Sequence, residues 1–385
     1  MFKWSFKEVL PVVVPVTCAL AILVLPWKSP SHADNEMSSM HPRNTPDPAY
    51  RKAFAGALQA GTEGLERAFA IVGSSTLAMR MGGLSQVAQS DGRIGAIDLA
   101  QPSVYLFSPS GRLKFRIGQP GLGPGEYVSP SGIAFGPHFL AISDFSEKRV
   151  SLFDNNGEVM GSFTYGPQGF SAQGLAYDPR SDQFFLFGNR WSEYSGERSI
   201  QLVHRYTSGG DFKGSAFSLP TSAETMKLTS YDQPLTEAEG YTTGPADADP
   251  VRFMLPWQNV LYSVSAGGQV STVLDAATDS AFRGPASPLP LEGGDIAAFQ
   301  RWTRTWTPIV GFATDGDRAV IETQCLCPAR YRLAVWSISQ HTLLDSLFTN
   351  RKLVTRGGDH TFFFLEEPSD PKESNYVVVR ARLDK

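Results

Sequence analysis

The stretch QVAQSDGRIGAIDLAQPSVYLFSPSGRLKFRI, Gln86 to Ile117, aligns without gaps over GIAFGPHFLAISDFSEKRVSLFDNNGEVMGSF, Gly132 to Phe163, every equivalent pair lying 46 positions apart. The pairs carry structural meaning: Asp98 falls on Asp144, Val104 on Val150, Leu106 on Leu152, Phe107 on Phe153 and Gly111 on Gly157. Each copy reads as four short strands, QVAQ or GIAF, RIGAID or FLAISD, SVYLF or RVSLF, and LKFRI or VMGSF. Gly111 and Gly157 supply the positive φ that a tight hairpin between the last two strands needs. A period of this length made of four strands is the mark of a ring of repeated sheets, since one such sheet cannot bury its own apolar face.

Outward from this pair the copies fade but the spacing persists. The interval of four between an apolar residue and a turn glycine recurs from Tyr206 to Gly210 and from Val264 to Gly268. A third unit begins at Gly174, VRFMLPWQNVLYSVSAGGQVSTVLD holds a fourth, GFATDGDRAVIETQC with YRLAVWSISQHTLLDSLF a fifth, and HTFFFLEE with NYVVVRARL a sixth. The expected fold is all-β, a six-bladed β-propeller over residues 75–385, with five or seven blades as the alternatives. TLAMRMGGL near Leu77 is available as the outer strand that closes the ring on the last blade, which would remove an exposed sheet edge.

The residues before the ring divide in two. Lys3 and Lys7 precede an almost uncharged apolar run from Val9 to Trp27, and Ser31-His32-Ala33 offers the small residues that a signal peptidase reads. Residues 1–33 are expected to export the chain, to the periplasm or the exterior. The same run, residues 9–27, is long enough for the alternative of membrane attachment, although Pro11, Pro15 and Pro26 interrupt it. Residues 34–74 read as a polar linker with a short helix, capped by Asp47-Pro48.

Composition narrows function. Charged residues are 19% of the chain and the net charge is −4, with no Lys/Arg cluster to neutralise phosphates, so nucleic acid is excluded as a partner. Only three cysteines occur among 385 residues, so packing rather than a disulfide framework must hold the fold. Cys325 and Cys327 are read as a loop-borne disulfide, with a free thiol pair as the alternative, and two thiols alone make a weak metal signal.

SDFSEKRVSLFDNNGEV, and more loosely IDLAQPSVYLFSPSGRL, resembles the NHL-type repeat of six-bladed propellers. Gly121-Leu122-Gly123-Pro124-Gly125-Glu126-Tyr127 looks like the glycine-rich loop of exported bacterial, TolB-like propellers. The resemblance is good from Gln86 to about Tyr177. It implies a toroid with loop-lined channel mouths, in a family that runs from protein-binding scaffolds to metal-dependent lyases and lactonases, so it locates a site without giving its chemistry.

Candidate chemistry is sparse. The glycine-rich loop lacks the Gly-Lys-Ser/Thr ending of a phosphate loop, and GFSAQG puts Gln173 where a nucleophile elbow needs glycine. Four histidines remain in the body, His138, His204, His341 and His360, of which His138 is the candidate ligand-binding residue. Trp302, Arg304 and Trp306 alternate on one strand face, a geometry able to stack on a sugar or peptide. Asp247 and Asp249, in the polar segment from Thr221 to Pro250, are the weak candidates for a divalent metal such as Ca²⁺; no other cofactor is expected. The expected function is a monomeric extracytoplasmic binding module that takes a protein or small ligand at a channel mouth, with no chemistry of its own. The alternative is a metal-dependent lyase or lactonase in the central channel.

Overall fold

The computed structural model describes residues 65–77, 84–90, 93–98, 101–108, 112–194, 197–219, 251–285, 305–325, 330–356, 360–366 and 376–383. The helix expected near Asp47-Pro48 lies outside them. Short strands between turn signals, buried almost throughout at the inner positions and more exposed at the outer ones, form six antiparallel sheets. Blade one holds Leu84–Ser90, Arg93–Asp98, Ser103–Phe107 and Leu113–Ile117, and blade two Pro130–Phe135, Phe139–Asp144, Arg149–Asp154 and Val159–Thr164. These are the strands that the 46-residue register marks out. Blade three comprises Gly174–Asp178, Gln183–Tyr194, Glu197–Thr207 and Phe212–Leu219, and blade five Ile309–Asp315, Arg318–Gln324, Tyr331–Ser337 and Thr342–Thr349.

Blade six joins the first described strand to the last. Lys352–Arg356, Thr361–Glu366 and Tyr376–Leu383 are followed in space by Phe69–Leu77, which pairs antiparallel with Tyr376–Leu383 from Phe69 opposite Leu383 to Leu77 opposite Tyr376. The closing strand therefore begins at Phe69, ahead of the boundary expected at Ser75 and of the TLAMRMGGL segment. Its first side chain explains the placement: Phe69 is fully buried and meets Phe362 and Phe364 edge to face, with ring centroids 5.6 and 5.3 Å away.

First strands of successive blades touch around the ring: blade one against blades two and six, blade two against three, and five against six. Blade four has three described strands, Val251–Leu255, Gln258–Val264 and Val270–Asp275. The hydrogen bonds place them at positions two to four. The Ser265 N–H donates to the Gln269 carbonyl around Gly268 (φ +87°), as Asp154 does to Glu158 around Gly157 (φ +86°) and Thr207 to Asp211 around Gly210 (φ +92°), all between third and fourth strands. Likewise Ala276 N–H donates to the Asn259 carbonyl as Tyr165 donates to that of Lys148. The first position of blade four thus falls outside the described residues.

Between blades the core is aromatic. Phe163 of blade two stacks on Tyr206 of blade three at 5.7 Å, and Phe139 meets Tyr177 edge-on at 4.9 Å. Gly210 is required here twice over, by its positive φ and because a Cβ would come within 2.4 Å of Phe163 Cβ.

The repeated aspartate is structural. Asp144 is fully buried, and its Oδ2 accepts from Val128 and Ser129 N–H at 2.8 and 3.1 Å while Oδ1 accepts from Ser146 and Glu147 N–H at 2.9 and 2.8 Å. One carboxylate so ties the chain entering blade two to the turn between its second and third strands. Asp98 occupies the same buried position in blade one and accepts from Gln101 N–H at 3.3 Å. Asp144→Ala leaves four amides without this acceptor and is expected to cost about 3 kcal/mol or more. A urea-unfolding midpoint within error of the parent would contradict that role.

Candidate functional site

Strand alternation fixes two ends of the ring. Turns between first and second strands gather at one mouth, and connections between blades run at the other. His138 is exposed in the turn Gly136–His138 of blade two, at the first mouth. Trp306 precedes the first strand of blade five, at the second. The structure therefore does not bring these candidates together. Trp306 is moreover 2% exposed and packs with Phe253, Leu255 and Trp257, so it fills the core between blades rather than presenting a stacking platform. Trp302 and Arg304 lie outside the described residues, as do Asp247 and Asp249. Cys325 is disulfide-bonded, while Cys327 lies outside the described residues.

Sequence reasoning passed over two histidines that the structure places in defined surroundings. His204, on the third strand of blade three, is fully buried and stacks on Phe170 with centroids 3.8 Å apart. Its Nε2 lies 2.9 Å from the Gly188 carbonyl and so carries the proton, which leaves Nδ1 to accept from Ser215 Oγ at 2.8 Å. Burial is the first cause that lowers its pKa from 6.5 to about 4, and Arg190 adds to it. The imidazole is thus a satisfied neutral core group.

The other is His360. Asp315 ends the first strand of blade five, and its carboxylate, 11% exposed, accepts from His360 Nδ1 at 2.8 Å and pairs with Arg356 Nη2 at 3.1 Å. Arg356 and His360 flank the turn between the first and second strands of blade six. The turn holds His360 at φ +58° and leaves its side chain 75% exposed. With Nδ1 on the carboxylate, Nε2 has no hydrogen-bond partner among the described residues. The site is an oriented imidazole, backed by a carboxylate and flanked by a guanidinium, facing solvent at the first mouth. A histidine after a glycine pair (Gly357-Gly358-Asp359-His360) was its only sequence signal.

The first strands of blades three and five contribute little further ionisable chemistry beside it. Gly174–Asp178 carries Leu, Ala and Tyr before its aspartate, and Ile309–Asp315 is apolar up to Thr314. Among the described residues no three His, Cys, Asp or Glu side chains converge as a metal site.

With the geometry in place, comparison with known proteins bears on the fold. The family model DUF5128, described as a 6-bladed beta-propeller, matches residues 76–165. The chain is a six-bladed β-propeller. A Bacteroides fragilis protein described as exported superposes on this propeller with TM-score 0.54 at 13% identity, over 84% of this chain and 97% of that one. A member of the DUF4221 family from Bacteroides vulgatus gives TM-score 0.54 at 10% identity, over 82% and 98%. Virginiamycin B lyase from Staphylococcus aureus is similar only at TM-score 0.45 and 10% identity, over 80% and 83%, too loosely to carry its chemistry across. A comparison with curated proteins finds no match.

His204 gives a pH prediction. The unfolded imidazole takes its proton near pH 6.5, the folded one near 4, so the stabilisation is complete above pH 6.5 and is lost as pH falls towards 4. The loss is on the order of 3 kcal/mol. Urea midpoints at pH 7.5 and 4.5 should differ accordingly, and His204→Asn should flatten the difference; an unchanged slope in the variant would assign the acid sensitivity elsewhere.

Proposed function

We infer that the chain is an extracytoplasmic binding module that takes a protein or small ligand at the mouth where His360 sits. The observation that supports this most is the Asp315–His360–Arg356 group, because among the described residues it alone combines a carboxylate held at 11% exposure with a 75% exposed imidazole of fixed orientation. Orientation of a polar anchor before the ligand arrives lowers the entropy lost on binding. The largely apolar first strands of blades three and five support the same reading, since they leave recognition to the loops. Export is supported by the apolar run of residues 9–27 with Ser31-His32-Ala33, and by the likeness to a protein described as exported. Among the described residues no helix is long and apolar enough to cross a membrane. The resemblance of SDFSEKRVSLFDNNGEV to NHL-type repeats, and of the glycine-rich loop to TolB-like propellers, fits a recognition role.

The same group supports a second reading, a metal-assisted lyase or lactonase. A carboxylate on Nδ1 is the arrangement that turns Nε2 towards a metal ion. Elemental analysis separates the two readings: stoichiometric metal in the purified protein, lost in His360→Ala, would overturn the binding module.

A thermal-shift screen of small molecules tests the leading reading. Compounds that raise the parent Tm by several degrees should lose that effect in His360→Ala and Asp315→Asn, while the ligand-free Tm of His360→Ala stays within about 1 °C because its side chain is exposed. Retention of every hit in both variants would remove the mouth from consideration.

A further inference from the structure

A hollow of about 460 Å³ opens along the closing strand of blade six, with Arg351 and Glu366 at the end of the blade opposite His360. It forms where the closing strand kinks: the pairing of Phe69–Leu77 with Tyr376–Leu383 shifts register between Ile71 and Gly73, and Ile71 stands 40% exposed at its edge. Phe69 and Val379, both buried, are among its apolar lining residues, with Val377 beside them.

Three charged side chains complete the wall. Arg351 Nε donates to Glu366 Oε2 at 2.9 Å, and Arg351 Nη1 lies 3.9 Å from Glu66 Oε1. Nη1 is closed off from water and makes no hydrogen bond among the described residues. The Arg351 side chain is 21% exposed, whereas those of Glu66 and Glu366 are 56% and 48% exposed. Two carboxylates against one guanidinium leave the wall negative, so it attracts a cation and repels a simple anion. Beside them sits a donor whose lack of an acceptor costs free energy that a ligand oxygen would recover.

We propose that this hollow binds a free α-aminoacyl group with an apolar side chain, carried by an amino acid amide or by the N-terminal residue of a peptide. The α-ammonium sits between Glu66 and Glu366. The adjacent carbonyl accepts from Arg351 Nη1 once the exposed Glu66 carboxylate turns to the ammonium, and the side chain lies on Ile71 and Val377. A hydrocarbon leaves the charges unmatched, and a carboxylate alone meets two of its own sign. This site is independent of the mouth at His360.

Calorimetric titration of the full chain with leucinamide, N-acetyl-leucinamide, aspartamide and the tripeptide Leu-Ala-Ala tests it. Leucinamide, Leu-Ala-Ala or both should bind, the pair showing whether the free amide or the peptide terminus is the better source. Acetylation should weaken binding at least tenfold, and the apolar side chain should be preferred over aspartamide. Glu66→Gln and Arg351→Gln should each weaken it about tenfold, while His360→Ala leaves it unchanged. Should Arg351→Gln fail to fold, the exposed Glu66→Gln and the acetylated ligand decide alone. Absence of binding by both free-amine probes, equal binding of the acetylated one, or loss of binding in His360→Ala would each overturn the proposal.

Discussion

The structure depends on one pairing, that of Phe69–Leu77 with Tyr376–Leu383. Without this pairing Tyr376–Leu383 would be left as an unpaired edge of blade six. Placing the first described strand outside the last one makes closure a contact between residues some 300 positions apart, which is entropically the most expensive loop in the molecule to close. The side chains offset this. Phe69 inserts between Phe362 and Phe364 and joins the cluster that includes Ala313, Val320 and Leu333 of blade five, so closing blade six also completes its interface with blade five.

Once closed, the ring is held between blades by aromatic stacks and within blades by buried turn carboxylates. These features explain where chemistry is absent. Asp98, Asp144 and His204 are ionisable groups whose hydrogen bonds are spent on the chain itself, and they are buried. Asp315 differs because half of what it holds is exposed. A carboxylate that grips an outward-facing imidazole does more orienting than a fold needs, and this sets the His360 mouth apart from the aspartate turns.

The sequence makes blades one and two legible strand by strand, because a fixed register repeats both the apolar alternation and the glycine turn. In blade four only the Val264 to Gly268 spacing survives, and it suffices to name third and fourth strands once the hydrogen bonds are seen. Lys352–Arg356, the first strand of blade six, carries no turn glycine of its own and was not separable from its surroundings. Sites fared worse for a physical reason. The Asp315–His360 contact spans 45 positions and two blades, so no spacing announces it, and a lone histidine in sequence gives no sign of burial, which is all that distinguishes His204 from His138. Trp306 failed as a platform because alternation places a side chain on a face without saying whether that face is the outside or the space between blades.

Hydrogen exchange measured by mass spectrometry on the intact chain tests closure most directly. Amides of Phe69–Leu77 and Tyr376–Leu383 should exchange slowly and together, at the rate of Thr361–Glu366 beside them, because one cooperative opening exposes all three. Rapid exchange of Phe69–Leu77 while Tyr376–Leu383 stays protected would contradict a ring closed by these two strands.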